Sequence, residues 1–117
     1  MKIAKFGILG GEILQRDLND NATEYLVVGD KTVDRKIVLE YSFEMPIADR
    51  AHVGTLTLNH DGTGVVVDDF YTYVPPYIKG VSWGADFSGN NIRLIVITSG
   101  IGENPTIKYR RSSIGVV

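Results

Sequence analysis

The residues KIVLEYSFEM, 36–45, restrict the possible folds more than any other stretch of this chain. Ile37, Leu39, Tyr41, Phe43 and Met45 alternate with Val38, Glu40, Ser42 and Glu44, which sets an apolar side against a mostly polar one. Successive side chains of a strand point to opposite faces, so a period of two over ten residues predicts a half-buried strand. Glycine, proline and asparagine cut the remainder into similar pieces: TEYLVV (23–28), HVGTLTLN (52–59), TGVVVDDFYTYV (63–74), GVSWGADF (80–87), NIRLIVIT (91–98) and TIKYRRSSI (106–114). Short strands recurring about every dozen residues predict an all-β antiparallel sandwich, jelly-roll-like or Ig-like, of about seven or eight strands. Ile92–Thr98 is apolar at nearly every position, which suits a central strand covered on both faces or one that faces a partner. Only EILQRDL (12–18) has helical spacing, enough for one or two turns.

A chain of 117 residues is one domain by length, long enough to bury roughly two-thirds of its unfolded surface without covalent staples. Gly10-Gly11 is a flexible joint, and it divides the chain into an arm with its hinge (1–11) and a single sandwich domain (12–117). The absence of cysteine excludes disulfides and thiolate metal sites. A net charge of −2 gives no bulk electrostatic reason to bind nucleic acid or an anionic membrane. The apolar stretch Phe6–Leu9 is too short for the core of a signal peptide, and no eighteen apolar residues run together. The sequence reads as a soluble protein made in a cytoplasm.

NHDGTGVVVDDF (59–70) carries the inventory of a metal loop: acids, a histidine and two glycines. A calcium loop starting at Asn59 would place Asp61, Thr63 and Gly64 correctly, but its twelfth residue is Phe70 where a bidentate glutamate is needed. Asp-Gly supplies the positive φ of a tight turn, so a hairpin is the expectation. Asp68 and Asp69 are adjacent, point to opposite faces of a strand and cannot share a proton; they anchor only a residual small-hydrolase alternative. His52 and His60 share a parity without an evident third ligand, and none of the serines sits in a nucleophile elbow. SGIGENP (99–105) lacks the lysine and hydroxyl of a phosphate loop and reads as a hairpin loop with Gly102 left-handed. No nucleophile, base and orienter come together, so the expectation is a non-enzyme with no cofactor and no metal.

Two segments are suited to contacts between subunits. The arm offers Ile3, Phe6, Ile8 and Leu9, which can dock on the chain's own core or on a neighbour. FYTYVPPY (70–77) offers Tyr71, Tyr73, Pro75, Pro76 and Tyr77; its prolines keep it off a central strand, and its rings suit a core, a protein interface or a sugar platform that could include Trp83. In KYRR (108–111) Lys108 and Arg110 share one face, Ile107 and Tyr109 the other, as expected of a basic solvent face or of charges pairing with a neighbour's acids.

Taken together, NATEYLVV with KIVLEYSF, RAHVGTLTLNHDGTGVVVDDFYTY, and GVSWGADFSGNNIRLIVITSGIGENPTIKYRR resemble a β-sandwich domain of tailed-bacteriophage virion proteins, over about Asn21–Ile114. The carriers are structural: a V-G-T-L turn-in, a D-G turn with an acidic pair, G-V-x-[FW], S-G-x-x-[IV]-R-L and a K-Y-x-R ending. VPPY departs from the pattern. The resemblance implies a virion structural protein made in the host cytoplasm, most simply a capsid decoration or cement subunit. It also implies self-association as a homotrimer and contact with virion proteins such as the major capsid protein. The alternatives are a tail, collar or fibre component, or a carbohydrate (receptor)-binding module with a glycan as partner. Nucleic acid and membrane are not expected partners.

Overall fold

The computed structural model describes residues 12–71 and 80–115, with Phe70 and Tyr71 described by their backbone alone. Eight strands form within them: β1 (Leu14–Asp17), β2 (Thr23–Asp30), β3 (Asp34–Met45), β4 (Arg50–His60), β5 (Val65–Tyr71), β6 (Val81–Ser88), β7 (Asn91–Thr98) and β8 (Thr106–Gly115). They make a five-stranded sheet, β1-β8-β3-β4-β5, and a three-stranded sheet, β2-β7-β6, antiparallel throughout. Packed together, these sheets are the expected all-β sandwich.

The alternation that predicts β3 also builds the core. Ile37, Leu39, Tyr41, Phe43 and Met45 all point inward, joined by Leu56 and Leu58 of β4 and Ile107 of β8. The smaller sheet answers with Leu26, Val28, Ile92, Leu94 and Val96. Each of the fully buried side chains contributes about 1.5–3 kcal/mol relative to exposure.

β3–β4, β4–β5 and β6–β7 are hairpins within one sheet, whereas the chain changes sheet after β1, β2, β5 and β7. The β4–β5 turn is the Asp-Gly hairpin expected of NHDGTG. Asp61 Oδ1 accepts the N–H groups of Thr63 and Gly64 at 2.9 and 3.0 Å, and Gly62 has φ 94°.

Two expectations are corrected. EILQRDL holds a strand, β1, paired with β8 from Leu14↔Tyr109 to Asp17↔Thr106; the open backbone of β8 rewards an edge strand more than one helical turn rewards itself. SGIGENP is a crossover from the smaller to the larger sheet and not a hairpin loop, although Gly102 is left-handed as expected, with φ 99°.

The unequal sheets fix which sides of the sandwich are open. β5 and β6 approach each other on one flank. On the other flank Arg111 of β8 donates to the Val28 carbonyl of β2 at 3.1 Å, and Arg16 of β1 lies 4.0 Å from Glu24 of β2. β2 therefore lies over β8, with β1 one strand further out, and this flank carries two strand edges, one from each sheet.

Candidate functional site

The polar group nearest to an active-site arrangement is centred on Asp69. Its register partner is the buried Leu56, so Asp69 faces inward while exposed Asp68 faces out, as the sequence requires. The Asp69 carboxylate accepts the Tyr41 hydroxyl at 2.8 Å and the Trp83 indole N–H at 2.9 Å. Tyr41 comes from the larger sheet and Trp83 from the smaller one, so one carboxylate ties β3, β5 and β6. Trp83 packs edge-on against Tyr41 (5.1 Å) and Phe43 (6.1 Å), and His52 stacks on Tyr41 at 5.9 Å. Both Asp69 oxygens are engaged by donors of the fold, and the Trp83 ring is turned into the sandwich. Trp83 is thus half-buried and packed against the core.

A second group closes one end of the sandwich, where β3 begins. Asp34 is buried, accepts the Asp30 N–H at 3.0 Å and pairs with Arg111 at 3.2 Å. Burial pushes its carboxyl up, but the Asp30 N–H, the Ser113 hydroxyl and the Arg111 guanidinium outweigh that and hold it below the ordinary carboxylate value. His60 bridges the two adjoining turns. Its Nδ1 accepts the Gly62 N–H at 3.0 Å, so the ring proton sits on Nε2, which donates to the Asp34 carbonyl. Both histidines are buried. Among the described residues no group of three or more His, Asp or Glu side chains is placed to hold a metal ion.

The loops at the other end are latched by side chains. Asp20 accepts the N–H groups of Ile101 and Gly102, each at 2.9 Å, and left-handed Asn21 accepts that of Gly100. The Gly102 and Ile101 N–H groups hold the Asp20 carboxyl below its ordinary value. Glu103 in turn accepts the N–H groups of Ile47 and Ala48 at 2.8 and 2.9 Å. That fixes the β3–β4 turn with Ile47 at its tip, 87% exposed.

What the fold leaves outward is surface for contact. On the smaller sheet Tyr25 pairs with Ile95, which pairs with Gly84; Val27 pairs with Arg93, and Thr23 with Ile97. Tyr25, Val27 and Ile97 are exposed and form one apolar face with Ile95. Arg93 lies over the Tyr25 ring at 4.2 Å and grips Asp86 through two hydrogen bonds of 2.8 and 2.6 Å. On the larger sheet the outward face carries the pairs Arg110–Glu40 and Lys108–Glu44, at 3.0 and 3.2 Å. The KYRR cations are therefore matched by acids of their own chain, on an inner strand rather than an edge.

Of the residues expected to make contacts, Ile3, Phe6, Ile8, Leu9, Tyr73, Pro75, Pro76 and Tyr77 lie outside the described residues. The backbone of Tyr71 ends β5, opposite Gly54. The β7 half of this apolar face is in the run that sequence suits to a covered central strand or to facing a partner, with Ile95 and Ile97 interleaved with buried Leu94 and Val96; the β2 half, where Tyr25 and Val27 alternate with buried Leu26 and Val28, is not singled out from sequence. The chain matches no protein-family model and no curated protein sequence.

Proposed function

We propose that this chain is a non-enzymatic structural protein of a bacteriophage virion, a capsid decoration or cement subunit that works by burying surface against its neighbours. The observation that carries this reading is the apolar outer face of the smaller sheet, where Tyr25, Val27 and Ile97 stand exposed beside a rigid Arg93–Asp86 pair. Aromatic and aliphatic side chains ringed by fixed polar groups make up the core and rim of protein interfaces. The motif resemblance to phage virion β-sandwiches supports the same reading. So does the use of the Asp69, Asp34 and Asp20 carboxylates as braces of the fold, each accepting at least two donors from the chain. A shell accessory gains from many weak contacts acting together, which suits a small domain with an exposed apolar sheet face.

The test is co-fractionation. The chain is expressed during a tailed-phage infection of its host, and heads and tails are separated on a density gradient. Banding with heads, with heads rupturing at higher temperature than those lacking the chain, is the expected result. Banding with tails moves the protein to the tail or collar. Chain remaining at the top of the gradient overturns the virion reading.

A further inference from the structure

We infer that the open flank of the sandwich is a strand-acceptor site, and that its ligand is the segment Ile3–Leu9 of a second copy of this chain. The inference deepens the assembly reading above and rests on it for the reason the chain self-associates.

The acceptor is built from described residues. Among the described residues β2 pairs only with β7, so along Thr23–Val27 its other edge has no described strand beside it. Beneath that edge, β1 projects as a ledge of the larger sheet. Leu14 and Tyr109 are register partners, and Tyr109 also pairs with inward-facing Tyr41, so both face the interior side; yet Leu14 remains 41% exposed and Tyr109 only partly buried. The smaller sheet is too narrow to cover them. One further strand beside β2, about 4.8 Å out, would cover Leu14 and Tyr109 and satisfy the edge.

Geometry selects a single extended segment over a whole domain. A second copy approaching β2 edge-to-edge would bring its own β1 ledge against this one, because each ledge projects past its β2. In the segment preceding Glu12, an extended chain would put Ala4, Phe6 and Ile8 on one side, suited to the ledge, and Ile3, Lys5, Gly7 and Leu9 on the other. It also has the right charge. Lys2 and Lys5 are unaccompanied by acids, whereas the flank carries the acid Glu24, whose nearest approach to Arg16 is 4.0 Å. The described residues hold all fourteen acidic side chains and nine of the twelve basic ones, leaving them five negative.

Direction selects a neighbour over the chain itself. β1 runs toward the 18–22 loop and β2 away from it. A segment folded back at Gly10-Gly11 from the start of β1 would therefore lie parallel to β2, whereas every strand pair among the described residues is antiparallel and parallel pairing is the weaker. Simple extension of β1 is also interrupted. Strand pairing with β8 stops at Leu14, and Ile13 instead lines a shallow cleft on the outer face with Glu40, Ser42, Lys108 and Arg110. A neighbour's segment is free to enter antiparallel.

The experiment uses the full chain and two variants. The donor variant is Phe6→Asp with Ile8→Asp; the acceptor variant is Leu14→Asp, at a side chain exposed enough to be replaced without emptying the core. Light scattering after size exclusion across concentration, with hydrogen exchange at the β2 amides, is the readout. The wild-type chain is expected to oligomerise with slow exchange along Thr23–Val27. Each variant alone should be at least tenfold weaker in association, with fast exchange there. Mixed, the two variants should form a heterodimer, since one supplies an intact segment and the other an intact flank. A monomeric wild type overturns the inference whether β2 exchanges slowly, which assigns the segment to its own flank, or fast, which leaves the flank empty. Oligomers that survive both variants overturn it as well. A virion role and self-exchange fail separately: gradient banding reads the first and light scattering on isolated protein the second.

Discussion

Asp69 shows how a carboxylate that looks catalytic in sequence becomes a brace in the fold. It accepts one hydrogen bond from each sheet, so removing it leaves the Tyr41 hydroxyl and the Trp83 N–H without their acceptor. A lost partner for a sheltered donor costs more than a hydrogen bond gains. Asp69→Ala is expected to lower unfolding free energy by about 2–4 kcal/mol, read as a shift in urea midpoint at unchanged slope, with Asp69→Asn intermediate because an amide can still accept. The neighbouring Asp68, outward and exposed, is the internal control and should tolerate alanine within about 0.5 kcal/mol. Equal losses at 68 and 69 would contradict the placement of Asp69. The sequence could decide that these two side chains diverge, because a period of two requires it. It could not decide which one faces in, since that depends on pairing with Leu56 in β4.

At the scale of elements, legibility follows the same division between local pattern and distant partner. β3 is readable outright, because its alternation and its burial are the same fact. β1 is not: LQRD has no strand pattern of its own, and all four residues are exposed. It is a strand because β8 offers an edge ninety residues away in the chain. The 99–105 loop is likewise recognisable as a turn-rich segment from its glycines, but its crossing between sheets depends on the latch with Asp20 and Asn21, which composition does not reveal. That latch can be tested by itself. In Asp20→Ala the Ile101 and Gly102 amides are expected to exchange with solvent at least tenfold faster, while the β3 and β4 amides keep their protection. Local opening of a loop leaves the sheets closed. If exchange rises uniformly through the molecule, the loop is a determinant of global stability and not a local clasp.

For the molecule as a whole, the carboxylates set the response to acid. Asp20, Asp30, Asp34, Asp61 and Asp86 are all held below 3.8, the value each would have in the unfolded chain. The leading causes differ: backbone N–H groups for Asp20 and Asp61, the Thr32 hydroxyl for Asp30, and the Arg93 guanidinium for Asp86. In Asp34 they are donors that overcome burial. The direction is common to all five. As pH falls, the unfolded chain takes up these protons first, so the folded state loses stability progressively. That contribution is whole above about pH 5 and drains as pH drops through 3.8 and on through the lower folded values. Urea midpoints are therefore expected to vary little, so far as these carboxylates set them, from pH 7 to 5 and then to decline steeply between 4 and 2. The slope should be shallower in Asp34→Asn, which removes one of the five protons while also weakening the protein at neutral pH by taking away the charge that pairs with Arg111. A midpoint that rises on acidification, or an unchanged slope in that variant, would mean that the hydrogen bonds around Asp34 do not favour its charged form. Because the five groups are spread over both ends of the sandwich and the outer face of the smaller sheet, their loss should unfold both sheets in one transition.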